Sequence, residues 1–111
     1  MKIGIIGSGR IVSSVHLPLL SCIDNVQIEF IADRNNPLSL ANMYNTKSIQ
    51  IDEISNLPKC DIILLAVPVG IKEKYLYELI KRNCYIFTEK PFAINLNSHE
   101  NLLKLTSKIT C

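Results

Sequence analysis

Short apolar runs alternate with amphipathic stretches along the chain. Ile3–Ile6 is the first run and reads as a strand. Gly7-Ser8-Gly9-Arg10 interrupts it, and Ile11–Ile23 then places Val15, Leu19 and Ile23 at four-residue, helical spacing. Pro18 inside that helix predicts a kink or an early bend, because proline removes one backbone donor. Val26–Ala32, closed by Asp33, is the second strand. Asn36-Pro37 reads as the cap and first residue of a helix reaching about Tyr44. Ser48–Ile51 is a short third strand, and Ile54-Ser55-Asn56-Leu57 a single turn before Pro58. Ile62–Val67 is apolar at every position, as in a central parallel strand covered on both faces. Ile71–Arg82 returns to helical spacing, with Tyr75, Leu76, Leu79 and Ile80 on one face. Cys84–Thr88 is the fifth strand. Asn97 and Glu100 form a capping-box-like start to a last helix carrying Leu102, Leu103 and Leu105.

Strands that alternate with helices through short loops predict an α/β fold with right-handed crossovers. The expected architecture is a three-layer, doubly wound parallel sheet of the Rossmann type. It would have about five strands in the order 3-2-1-4-5. Its final strand is expected to be absent, since the sequence ends at Cys111 where that strand would begin. The fifth strand would then be an exposed edge, open to pairing between chains and self-association.

Composition narrows the partners. The 111 residues suit one domain, residues 1–111, and 48% hydrophobic with 20% charged residues is ordinary globular composition. A net charge of +2 is too small to point to nucleic acid. Lys72, Lys74, Lys81 and Arg82 cluster, but Glu73 and Glu78 interleave them, which reads as a solvated helix face. Cys22, Cys60, Cys84 and Cys111 show no C-x-x-C pair and no histidine at ligand spacing, so buried thiols are expected and no metal. The longest apolar run, Ile62–Ile71, is too short for a bilayer and contains Pro68. The first apolar run is broken too early for a signal peptide, which makes the cytoplasm the expected compartment.

Candidate chemistry collects where predicted strands end. A strand, a glycine turn and a helix in succession aim backbone N–H groups at a phosphate. Gly7 would permit the tight turn, and Gly9 would let the backbone approach a pyrophosphate. The third glycine of G-x-G-x-x-G is replaced by Val12. Asp33 ends the second strand a little over 20 residues on, where a carboxylate can accept from ribose hydroxyls and repel a 2′-phosphate. That favours NAD, although the guanidinium of Arg34 beside it could meet the 2′-phosphate of NADP. Ala66-Val67-Pro68-Val69-Gly70 can border the nicotinamide side or be a plain connection. In Thr88-Glu89-Lys90-Pro91, Lys90 can stabilise developing charge on a substrate oxygen with Glu89 holding it, or the segment is a polar turn.

Together these stretches resemble the N-terminal half of the Gfo/Idh/MocA oxidoreductases, the glucose–fructose oxidoreductase and inositol dehydrogenase family. The matching segments are Ile3 to Ile11, His16-Leu17-Pro18, Ile31-Ala32-Asp33, Asp61 to Pro68, and Glu89-Lys90-Pro91-Phe92-Ala93. The resemblance implies oxidation or reduction, with NAD or NADP, of a hydroxyl or carbonyl on a sugar, cyclitol or related small molecule. It places the pyrophosphate on Gly7, Ser8, Gly9, Arg10 and Ile11, the ribose on Asp33, and cofactor and substrate at Lys90. It also implies a C-terminal α/β domain, which carries most of the substrate pocket and the usual proton-transferring residue and is missing from this sequence. A small-molecule substrate is therefore expected only where that second domain is supplied. Two further departures are Val12, which predicts looser packing of the first helix, and Lys72, which stands where the family usually has a histidine. His16 matches a family position, with a packed or capping role as its plain reading, and His99 falls in the first turn of the last helix. The sequence therefore leaves an oxidoreductase cofactor domain set against a truncated, inactive dinucleotide-binding module or remnant.

Overall fold

The computed structural model describes residues 1–52, 56–89 and 93–110. Among these, the order is β1 (Lys2–Ile6), a π-helical turn (Val12–His16) running into α1 (Leu17–Ser21), β2 (Gln27–Asp33), α2 (Leu38–Met43) and β3 (Lys47–Gln50). There follow β4 (Ile62–Leu65), α3 (Val69–Leu79), β5 (Tyr85–Thr88), α4 (Leu96–Leu105) and β6 (Ile109–Thr110). The strands form one sheet in the order β3-β2-β1-β4-β5-β6, with every pairing parallel. The order reverses between β1 and β4, so the crevice beyond their carboxyl ends is the switch point of a doubly wound sheet.

Side-chain alternation builds a core on each face. Ile6, Phe30, Ala32, Ile63, Leu65 and Ile86 pack on one side, with Leu76 and Leu79 of α3 and Leu102 of α4. Ile3, Ile5, Ile31 and Leu64 pack on the other, with Val12, Leu17 and Ala41. The central strands are buried on both faces, which explains the unbroken apolar run in β4.

A sixth strand is present, contrary to the sequence expectation. Ile109 and Thr110 pair with Ile86 and Phe87, and the Ile86 N–H donates to the Lys108 carbonyl at 2.9 Å. A three-residue link, Thr106 to Lys108, suffices because α4 lies antiparallel to the strand it feeds. β5 is thus an interior strand at those two positions, and the expected exposed β5 edge does not exist there.

The first helical stretch is irregular rather than a uniform α-helix, and its regular α part ends at Ser21, short of the expected Ile23. A π turn over Val12–His16 runs directly into α1, and the backbone stays helical through the junction, so the proline lies just after a local widening of the helix, the kind of irregularity that relieves a missing N–H and a crowded ring. Asn36 does not cap α2. Pro37 occupies that position, and the Asn36 carboxamide oxygen accepts from the Ser48 hydroxyl. The cap of α4 is Asn95 rather than Asn97, its Oδ1 accepting from the Ser98 N–H at 2.9 Å. The expected turn at Ile54 to Leu57 falls partly on residues 53–55, outside the described residues.

Candidate functional site

The carboxyl end of β1 is shaped by backbone geometry. Gly7 has φ +111°, a conformation that side chains strongly disfavour, and its N–H donates to the Ala32 carbonyl at 2.8 Å. A Cβ on Gly7 would lie 2.1 Å from the Ala66 carbonyl oxygen. The β1 turn therefore presses directly on the exit of β4. Gly9 differs, because a Cβ there would meet nothing within 4 Å. Gly9 is exposed and its backbone faces open solvent at the start of the first helix, where the Ser13 N–H donates to the Gly9 carbonyl at 3.1 Å. Arg10 and Ile11 are exposed beside Gly9, while Val12 is fully buried in the core.

Asp33 closes on the same turn. One carboxylate oxygen accepts from the Ser8 hydroxyl, and the other accepts from the Arg34 N–H at 2.6 Å. Ser8 and Asp33, 25 residues apart, are brought together because β1 and β2 are neighbours and end at the same level. Arg34 is exposed, and with Asp52, Lys74 and Tyr75 it lines a cleft of about 280 Å³. On the opposite side of the turn, Val67 is half-buried, and Pro68 caps α3 with its carbonyl accepting from the Ile71 and Lys72 N–H groups at 3.1 Å.

The exit of β5 is held by side chains. The buried Thr88 hydroxyl donates to the Leu65 carbonyl at 2.8 Å, joining β5 to β4. The Glu89 carboxylate faces His16 Nε2 at 3.2 Å, and the Glu89 carbonyl accepts from Lys72 Nζ at 2.9 Å. Lys90, the residue expected to meet substrate, lies outside the described residues. Sequence reasoning treated Lys72 as part of a solvated face, but only 5% of it is exposed. The signal was present: Lys72, Leu76 and Leu79 share the buried stripe of α3, so a lysine occupied a core position. His16 and Thr88 were named in the sequence, but not their partners, which lie 73 and 23 residues away. His99 sits half-buried in the first turn of α4.

Another cavity opens at the amino ends of the strands. It measures about 400 Å³ and is lined by Leu57, Lys59, Cys60, Arg82, Asn83 and Cys84. Burial, and then the neighbouring Cys84, push the Cys60 thiol up to about 11, and burial also raises Cys84. Both thiols stay protonated near neutrality and supply no nucleophile. Arg82 spends its Nη2 on the Leu57 and Pro58 carbonyls at 2.9 and 3.1 Å. Cys22, by contrast, is exposed, against the expectation of buried thiols. Among the described residues no cluster of three or more histidine, cysteine, aspartate or glutamate side chains could hold a metal, and no helix is long and apolar enough to cross a membrane.

Comparison with known proteins agrees with this geometry. Residues 1–111 match the Gfo/Idh/MocA family, described as an oxidoreductase family with an NAD-binding Rossmann fold. The chain is 25% identical over 103 residues to the scyllo-inositol 2-dehydrogenase (NADP(+)) IolW of Bacillus subtilis, covering 92% of this chain and 29% of that one. It superposes with a TM-score of 0.85 and 16% identity on KijD10, a 3-ketoreductase of Actinomadura kijaniata in complex with TDP-benzene and NADP, covering 95% of this chain and 34% of KijD10. An oxidoreductase of Bacillus cereus superposes with a TM-score of 0.82 and 22% identity, covering 95% of this chain and 31% of its own. The chain thus spans about a third of the length of these relatives. With a glycine turn, an acid at the end of β2 and a six-stranded parallel sheet in this order, the chain belongs to the Gfo/Idh/MocA oxidoreductase family, as its NAD(P)-binding Rossmann domain.

Proposed function

We propose that residues 1–111 hold the dinucleotide of an oxidoreductase that acts on a hydroxyl or carbonyl of a sugar, cyclitol or related small molecule. The observation that carries this reading is the joining of Ser8 and Asp33 beside the bare, solvent-facing backbone at Gly9. A bare backbone with free space suits a pyrophosphate, which needs N–H donors and close approach rather than side chains. Gly7, Ser8 and Gly9 would supply that cradle, with Arg10 and Ile11 at its edge. Asp33 would accept from the adenosine ribose, since each of its oxygens takes one internal hydrogen bond and keeps acceptor capacity. Val67 and Pro68 would border the nicotinamide, on the β4 side of the turn.

Bound NAD(P) would supply hydride exchange with the carbon bearing the reacting oxygen. The family resemblance places Lys90 against cofactor and substrate; its ammonium would hydrogen-bond that oxygen, with Glu89 holding Lys90 in position. A sugar-like substrate is in keeping with the named activities of IolW and KijD10. This reading assigns one proton donor, Lys90, so we expect the 111 residues to bind dinucleotide without sustained turnover of sugars or inositols.

Asp33 supports NAD as the cofactor. A second reading, NADP, has its own support, because Arg34 and Lys74 line one cleft beside the ribose position. Calorimetric titration decides between them. NADH is expected to bind about tenfold tighter than NADPH, and Asp33→Asn to remove that preference. Tighter NADPH binding would establish the second reading, and no binding of either would remove the cofactor assignment.

A further inference from the structure

Glu89 is held from both faces of the sheet. His16 reaches its carboxylate from the helix that starts at the Gly7–Gly9 turn, and Lys72 reaches its carbonyl from α3, which starts at the Pro68 loop. Both helices open onto the proposed dinucleotide crevice, and each sends one side chain to the same residue. Lys72 is nearly fully buried, and a buried ammonium is tolerated only where acceptors compensate its lost hydration. The Glu89 carbonyl is one such acceptor, lying at the end of a strand whose last residue, Thr88, is itself tied to β4. Two strand spacings separate β1 from β5, so Glu89 lies about 10 Å across the sheet from the glycine turn. It is on the far side from Asp33, which is the nicotinamide side if Asp33 takes the adenosine ribose.

We propose that His16 and Lys72 are positioning residues that clamp Glu89, and so fix the exit of β5 against the nicotinamide half of the crevice. This rests on the cofactor reading above. The clamp ties the helix that opens at the phosphate turn to the strand exit that precedes Lys90.

The test uses the full chain and has two arms. Hydrogen exchange in the free protein reads the clamp without any ligand. Titration with NADH and with ADP-ribose, which lacks the nicotinamide, reads its function. In Lys72→Met and His16→Leu, exchange over residues 85–89 should rise about fivefold while β1 and β2 stay protected. NADH should bind about tenfold more weakly, and ADP-ribose should be unchanged. Lys72→Arg and His16→Gln keep a donor and should behave as the parent. If Lys72→Met does not fold, His16→Leu, altered at a half-buried position, carries both arms. Unchanged exchange in the variants would overturn the clamp. Raised exchange with unchanged NADH affinity, or with NADH and ADP-ribose weakened alike, would overturn the positioning role. A parent protein that binds ADP-ribose but not NADH would also overturn it, whereas one that binds neither would fail the cofactor reading itself and the role with it.

Discussion

The two rims of this sheet are built to opposite ends. At the amino rim the chain closes on itself. The Lys2 N–H donates to the Asp61 carboxylate at 2.7 Å, the terminal ammonium donates to the Asn25 carbonyl at 2.8 Å, and Lys108 Nζ donates to the Arg82 carbonyl at 3.3 Å. Arg82, Lys108 and the terminal ammonium are committed to backbone oxygens there, and two thiols are held in their neutral form. At the carboxyl rim a glycine sits in a conformation side chains avoid, a second glycine faces open space, and an aspartate keeps acceptor capacity. Both rims carry cavities of a few hundred Å³, so volume does not tell them apart. What separates them is the glycine turn: side chains at both rims are tied into the fold, but only the carboxyl rim adds a stretch of bare backbone facing open space beside a carboxylate with acceptor capacity to spare.

The sharpest way to break that contrast lies within a single turn. In Gly7→Ala the new methyl would overlap the Ala66 carbonyl and force φ +111° on an alanine. Strain and overlap together should lower stability by about 3 kcal/mol, read as the midpoint of urea unfolding. Gly9→Ala places its methyl in free space, so its stability should change by less than about 1 kcal/mol while dinucleotide affinity falls. Equal destabilisation by the two changes would mean that Gly9 serves the fold and not a ligand.

At the amino rim the expected pattern reverses. Arg82→Met keeps much of the side-chain bulk and removes the donors to Leu57 and Pro58. Hydrogen bonds from a charged group contribute about 2 kcal/mol, so the unfolding midpoint should drop. Affinity for NADH should not move, because nothing at this rim faces the switch point. A fall in affinity as large as that of Gly9→Ala would show that the two rims are coupled.

The same contrast explains what the sequence made legible. The glycine turn could be read because a backbone demand is written in the residue that meets it: Gly7 is forced by its own φ and by one carbonyl. The sheet order followed from strand and helix alternation, and Asp33 from its place at a strand end. The clamp at Glu89 was not legible, because His16, Lys72 and Thr88 find their partners only through tertiary packing. The sixth strand was missed because two residues carry no periodicity, and it exists only by pairing with Ile86 and Phe87. The capping assignments failed for a related reason. Asn36 and Asn97 are good capping residues, but Asn36 found Ser48 across the chain, and Asn95 stood nearer the true start of α4.

The smallest expected effect sharpens the description of the amino rim as chemically silent. Burial raises the Cys60 thiol from an ordinary 9.0 to about 11, with Cys84 adding to the shift. Between those values the unfolded chain loses the thiol proton while the folded chain keeps it. Folding then binds more protons than unfolding, so stability falls as pH rises. The contribution is fully present below about pH 9 and gone by about pH 11. Urea midpoints at about pH 8 and about pH 10.5 should therefore drop more in the parent than in Cys60→Ala, where lysine and tyrosine titration is shared and cancels in the difference. Alkylation gives a second reading of the same state. The exposed Cys22 should be modified well before Cys60, and the buried Cys84 only on unfolding. A Cys60 that reacts as fast as Cys22 near neutrality would make the amino rim a reactive surface, and the contrast with the carboxyl rim would then rest on hydrogen bonding alone.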